Sequence, residues 1–203
     1  MNLLTYKQHQ DFFNQKAETW TISDNQIRFI KQLEDLVDFK GTETVLDIGC
    51  GTGNLFPYLQ QKIPGGKLIG IDFAFNMLYR CREKFQERTI VLQSMAEVLP
   101  IRSTSIDVVI NYCLFPHLKY KRNALREFER VLKKEGRYYI LHPQGSNEIN
   151  CLHRDIGEPV CFDVIEPVES VVAMLQLNGF STRQAIDRCD MFLIEAVKSG
   201  SLS

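Results

Sequence analysis

Nothing constrains this chain as tightly as the stretch Val45-Leu46-Asp47-Ile48-Gly49-Cys50-Gly51-Thr52-Gly53. An apolar run meets an acidic residue, and three glycines then stand at every second position. The pattern reads as a buried strand ending in a turn where main chain, rather than side chain, meets a ligand. A second strand, residues 67–71, runs into Asp72, about twenty residues beyond the glycines. A carboxylate at that point accepts both hydrogen bonds of a ribose diol, so one nucleoside is indicated.

The rest of the chain alternates strand and helix patterns. Strands are expected at 44–48, 67–71, 89–92, 106–111 and 137–141, and a closing pair at 182–187 and 191–197. Between them lie helical patterns at 54–61, with Pro57 in the first turn, at 74–85, at 120–132 and at 167–178. Gly136 reads as the end of the helix that carries Ala124, Leu125, Phe128 and Val131. This alternation predicts an α/β fold, a doubly wound and mostly parallel sheet with helices on both faces. The closing pair is joined by a short turn, so its strands are antiparallel and one strand near the C-terminal edge is reversed. One domain over 1–203 is expected. Residues 1–40 would be a helical lid and lead-in, and 142–166 a polar loop insertion with a short helix from Ser146, that serine capping it. In the lead-in, Phe13, Ala17 and Trp20 fall at helical spacing beside Phe12. They read as a packed amphipathic helix or as an aromatic flap over the ligand.

Composition bounds the partners. The chain has 203 residues, 44% hydrophobic and 24% charged, enough for a full core and unlike a disordered segment. A net charge of −1 offers no basic excess, so neither nucleic acid nor a membrane surface is expected as the main partner. No apolar run approaches the ~20 residues of a membrane span, and the first residues lack a signal-peptide core. A cytoplasmic protein is expected, a monomer or weak homodimer acting on a small molecule. Its six cysteines then read as free thiols, with no Cys-x-x-Cys pair.

A dinucleotide loop is the competitor for the glycines. Its pattern, Gly-x-Gly-x-x-Gly, fails here because Asn54 stands where the third glycine belongs. Asp47, just before the loop, would repel a pyrophosphate and attract an α-ammonium group, directly or through water. The site suits a zwitterionic nucleoside.

On these residues the chain resembles the class I S-adenosylmethionine (SAM)-dependent methyltransferases. Further segments carry the resemblance from about residue 44 to 197: Gly70-Ile71-Asp72 with Asn76-Met77-Leu78, Ala96-Glu97-Val98-Leu99-Pro100, and residues 107–111 with Phe115-Pro116-His117-Leu118 and residues 124–133. The resemblance implies a Rossmann-like, seven-stranded sheet in the order 3-2-1-4-5-7-6, SAM as cofactor, and transfer of its methyl group to a nucleophile by in-line displacement. It implies cofactor contacts at Asp47, Gly49, Cys50, Gly51, Gly53, Asp72, Phe73, Met77, Ala96, Glu97 and Asn111. Two departures stand out: Met95 replaces an aspartate of the adenine loop, and Lys133-Lys134-Glu135-Gly136 replaces a Lys-Pro-Gly-Gly turn. A non-catalytic SAM-binding module, which Met95 favours, and an NAD(P)-dependent Rossmann oxidoreductase, which Asn54 and Asp47 disfavour, are the other readings of the loop. A macromolecular acceptor docking on Lys119, Lys121 and Arg122 is a further one.

The acceptor side is expected after the fourth and fifth strands. His117 and His142 are the candidate bases, and Trp20, Tyr112, Phe115, His117, His142 and His153 the candidate acceptor contacts. Three of the four histidines lie in this region. His142, His153, Cys151, Cys161 and Asp163 are metal-ligand types, but their spacing matches no common zinc motif and a polar loop is the simpler reading.

Overall fold

The computed structural model describes residues 3–85 and 89–199. The ends of the expected domain, residues 1–2 and 200–203, lie outside the described residues. The strands are β1 (Thr44–Ile48), β2 (Lys67–Asp72), β3 (Ile90–Gln93), β4 (Ile106–Tyr112), β5 (Leu132–His142), β6 (Phe180–Arg188) and β7 (Met191–Lys198). The helices are α1 (Leu3–Lys16), α2 (Asp24–Leu36), α3 (Phe56–Lys62), α4 (Phe75–Lys84), α5 (Lys121–Val131), α6 (Ser146–Ile156) and α7 (Val168–Leu177). The strands form one seven-stranded sheet in the order β3-β2-β1-β4-β5-β7-β6. β1 to β5 pair in parallel, and β7 is antiparallel to both β5 and β6, the single reversed strand that the tight turn implied.

Each face of the sheet carries its own core. On one, Leu125 and Phe128 of α5 and Val171 and Leu175 of α7 pack with Tyr138. On the other, Phe29 and Leu33 of α2, Phe56 and Leu59 of α3 and Cys81 of α4 pack with Tyr139. The neighbouring tyrosines go to opposite faces because strand side chains alternate. Burying such a ring is worth about 2–3 kcal/mol. No helix among the described residues is long and apolar enough to cross a membrane.

Several boundaries differ from the sequence expectation for identifiable reasons. α5 ends at Val131 and β5 begins at once; a bulge in β5 between Leu132 and Arg137, opposite Ile106 to Val108, absorbs the extra residues, and Glu135, not Gly136, takes the left-handed turn (φ 60°). Ser146 does not cap α6. Gly145 holds that position, while the Ser146 main-chain N–H and hydroxyl both donate to Asp187, at 2.9 and 2.5 Å. Of the expected loop 142–166, His142 ends β5 and 146–156 form a three-turn helix, leaving 143–145 and 157–167 irregular. α2 is started by a capping box between Ser23 and Gln26. The lead-in helix stops at Lys16, and Trp20 follows it after a turn over residues 17–19, outside any helix.

Candidate active site

The glycine loop leaves β1 and is pinned to its neighbour: the N–H groups of Gly49 and Cys50 both donate to the Ile71 carbonyl, at 2.7 and 3.1 Å. Gly49, Gly51 and Gly53 all have positive φ (71°, 54° and 79°), which only glycine adopts at little cost. Their roles diverge. Gly49 and Gly51 border the main cavity. A Cβ on Gly53 would instead meet Phe85 at 2.7 Å and Cys81 at 2.9 Å, so this glycine lets the loop pack on α4 and does not reach the cavity wall. Cys50 borders the cavity, but its thiol lies against Gly70, in the space that a Cβ there would fill.

Two carboxylates sit at this end of the sheet. Asp72, at the tip of β2, accepts from the main-chain N–H of Gly51 (2.9 Å) and of Ala74 (2.8 Å), one on each oxygen. Each oxygen keeps a second lone pair for a ligand. Burial pushes this carboxyl up to about 6, against the pull of its main-chain donors. Asp47 lies behind the loop rather than on the cavity wall, and its Oδ1 is buried without a hydrogen-bond partner. Burial raises its carboxyl well above the usual range, and Asp72 adds to the rise. An orphaned carboxylate oxygen in such a place calls for a cation or a bridging water.

A cavity of about 510 Å³ opens at these strand ends. A narrow side pocket of about 40 Å³ adjoins it, sharing Gly49, Asp72, Phe73, Leu114 and His117 as the common wall. The side pocket is lined by Met95, Ala96 and Glu97 on one side and by Tyr6 and His9 of α1 on the other. The Tyr6 hydroxyl donates to Glu97 Oε1 at 2.5 Å. Glu127 and Arg130 of α5 brace the loop beneath: Glu127 accepts from the Leu99 N–H, and Arg130 donates to the carbonyls of Leu99 and Ile101.

The side of the main cavity where the acceptor was expected is walled by Phe13, Trp20, Ile149 and Val160, with Tyr112, His117, His142 and His153 as polar members. His142, the last residue of β5, is buried with Nε2 unpartnered; burial, then His117 and His153, press its imidazole down to about 3, so it is neutral. His117 ends a 3₁₀ turn (Phe115–His117) and turns Nδ1 onto Asp163 Oδ2 at 2.7 Å. Its ring lies against His153 (4.7 Å between centroids) and meets Phe13 edge-on (5.2 Å). Burial lowers the His117 imidazole in spite of the opposing bond to Asp163.

Besides Asp47 and Gly53, two more expected contacts are not on the wall. Phe115 is wholly buried in the core, under the Lys121 ammonium, because the 3₁₀ turn points it inward. Asn111 is likewise buried; its amide donates to the Tyr138 hydroxyl at 3.3 Å, and its Oδ1 is unpartnered. The five metal-ligand types do not converge. His153 Nδ1 binds the Asp163 carbonyl, Cys151 is exposed beside Arg154, and among the described residues no group of three or more such side chains is placed to hold an ion. What sequence reasoning missed is the Asp163 carboxylate as a hub. His9 of α1 reaches it at 2.9 Å on the oxygen that also takes His117, and Lys119 takes the other. No periodicity signals a contact spanning 154 residues.

Helix α1 closes one side of the site. Besides Tyr6 and His9, Gln10 donates to the Phe73 carbonyl at 2.7 Å, and Asn14 accepts two hydrogen bonds from Asn76 of α4, on its side-chain oxygen from the main-chain N–H and on its carbonyl from the amide. Phe13 and Trp20 pack edge-on, and with Ala17, Phe73 and Met77 they form a small apolar cluster beside the glycine loop.

Known proteins share this arrangement. Residues 46–140 match the family described as Methyltransferase domain. The chain is similar to demethylmenaquinone methyltransferases of Thermus thermophilus (32% identity, 57% of this chain and 54% of the relative) and Thermotoga maritima (28%, 68% and 62%). A third, from Lactococcus lactis, is 33% identical over 70% of this chain and 52% of the relative. The chain thus spans about half to three fifths of the curated relatives it matches. Among solved structures, a SAM-dependent methyltransferase from Aquifex aeolicus superposes with a TM-score of 0.74 at 22% identity, covering 91% of this chain and 98% of that one. One from Mesorhizobium loti gives 0.68 at 14% identity, covering 82% and 96%. At such identities these two speak for the fold alone. The chain thus has the sheet order and fold of these SAM-dependent methyltransferases, and residues 46–140, a little under half of it, match the methyltransferase-domain family.

Proposed function

We propose that the protein methylates a small, largely apolar acceptor bearing an ionisable O–H or S–H group, with His117 as the base. The residues fit SAM on a feature of this structure: the orphaned Asp47 Oδ1 behind a loop of left-handed glycines, beside the Asp72 carboxylate. Asp72 would hold the ribose, Asp47 the ammonium end through water, and Phe73, Met77, Ala96 and Glu97 the nucleoside. Bound SAM supplies an electrophilic methyl group on a sulfonium.

The chain's own part is positioning and proton transfer. The aromatic wall of Phe13 and Trp20 excludes water and favours an apolar acceptor. The neutral His142 can accept or donate one hydrogen bond to it. His117, with Nδ1 on Asp163, keeps Nε2 as its remaining site for a proton from the acceptor. The observation that carries the proposal is the single cavity in which the glycine loop and Asp72 face a wall of aromatic rings and neutral histidines. The names of the three demethylmenaquinone methyltransferases also point to an apolar acceptor.

The test is a screen with methyl-labelled SAM against phenols, hydroquinones, thiols and amines. Label is expected in apolar hydroxy or thiol compounds. Label only in amines, or only in RNA or protein, overturns the proposal.

A further inference from the structure

Asp163 stands in the irregular stretch after α6, yet its carboxylate is among the most deeply buried in the protein, its side chain 1% exposed. Burial alone would raise its pKa; hydrogen bonds from His117 and His9, with Lys119, outweigh that and hold it well below the usual range. It is therefore an anion at neutral pH. The two imidazoles share Oδ2 and the ammonium takes Oδ1. The ammonium balances the carboxylate, so His117 can bind as a neutral N–H donor. For His117 this fixes the proton on Nδ1 and leaves the lone pair on Nε2. The neighbouring His153 ring is fixed the same way, its Nδ1 donating to the Asp163 carbonyl.

The donors come from different places in the chain. His117 and Lys119 belong to the segment after β4, His9 to α1, and Asp163 to the stretch between α6 and α7. α1 also carries Tyr6 and Gln10 onto the nucleoside side, at Glu97 and Phe73. With α1 seated, the nucleoside side pocket is only about 40 Å³. A nucleoside base seated there would press against α1, and a shift of α1 would pull on His9.

We propose that Asp163 is a positioning residue that holds His117 with Nδ1–H on its carboxylate and Nε2 free for the acceptor proton, and that His9 makes this arrangement depend on helix α1 being seated. The proposal rests on the reading of His117 as the base. The proton moves from the acceptor's O–H or S–H to Nε2, giving an imidazolium that Asp163 stabilises, and passes to solvent after turnover. The titratable or charged groups facing the pair are His9 on α1, Lys119 beside it, His153 on α6 and His142 at the end of β5.

The experiment is nitrogen NMR of histidine-labelled protein with S-adenosylhomocysteine, comparing wild type, Asp163→Asn and His9→Ala. In the wild type at pH 8, His117 should be the Nδ1–H tautomer. In Asp163→Asn its titration midpoint should fall by about one pH unit or more, because the stabilising anion is gone. His9→Ala should leave Asp163 in place yet mix the two His117 tautomers. An Nε2–H tautomer in the wild type, an unmoved midpoint in folded Asp163→Asn, or an unmixed His117 in His9→Ala overturns the inference. If Asp163→Asn does not fold, the wild-type tautomer and the His9→Ala spectrum decide. Failure of the wild type to bind S-adenosylhomocysteine refutes the methyltransferase reading itself, whereas binding with the wrong tautomer refutes only the role of Asp163.

Discussion

The two halves of the cavity are built by different means. The half proposed for the cofactor is main chain and strand ends: the turn after β1 hangs from the Ile71 carbonyl by the Gly49 and Cys50 amides, and Asp72 is fixed by the amides of Gly51 and Ala74. The acceptor half is side chain on side chain. Phe13 and Trp20 come from the lead-in, His117 from a 3₁₀ turn, His153 from α6, and Asp163 ties the two histidines from a stretch without regular structure. Backbone geometry restricts which residues can occupy it, so the first half leaves a dense local signature. The second is set by contacts across the fold, each of which many sequences could supply.

That contrast can be broken by substitution. The largest effect is expected for His117→Ala, whose turnover with an acceptor found by the screen should fall about 100-fold or more while SAM affinity stays unchanged. An equal loss of SAM affinity would place His117 in the cofactor half. Asp72→Ala should do the opposite, weakening SAM binding by about 1–3 kcal/mol through lost charge-assisted hydrogen bonds, measured by calorimetry. Unchanged affinity would show that the ribose is held elsewhere.

The pH dependence follows from the same carboxylate. Burial pushes Asp72 in the free protein up to about 6, and a ribose diol is best accepted by the ionised form. Below that pH the free protein binds a proton that the complex must shed. SAM affinity should therefore fall as pH drops below about 6, by up to tenfold per unit, and level off above it. A flat profile between pH 5 and 8 would contradict the role of Asp72. The smallest effect is expected at Gly53, where φ is 79° and a Cβ meets the Phe85 ring. Gly53→Ala should cost about 1–2 kcal/mol of folding stability in thermal melts and leave the affinity of the folded protein for SAM intact. A loss of affinity without loss of stability would move Gly53 back to the cavity wall.

Much of the fold was legible because its periodicities are local. The α5 stripe of Ala124, Leu125, Phe128 and Val131 is buried as its spacing predicts, and the short turn between β6 and β7 required the reversed strand. The helix end read at Gly136 was not, because a bulge in β5 takes up the residues that would otherwise have lengthened α5. Within the site, Asp72, Gly49 and Gly51 border the cavity as their spacing suggested, whereas Gly53 does not. Phe115 could not be told from a cavity residue, since one aromatic in a short turn has no period to show which way it faces. Asp163 was visible only as a metal-ligand type; its pairing with His9, His117 and Lys119 depends on how α1 and the segment after α6 come together.

Calorimetric titration of S-adenosylhomocysteine into the wild-type protein and into His117→Ala tests the division of the cavity most directly. A dissociation constant of about micromolar order, the same in both within about twofold, is predicted. Absence of binding to the wild type, or its loss in the variant, would contradict the account.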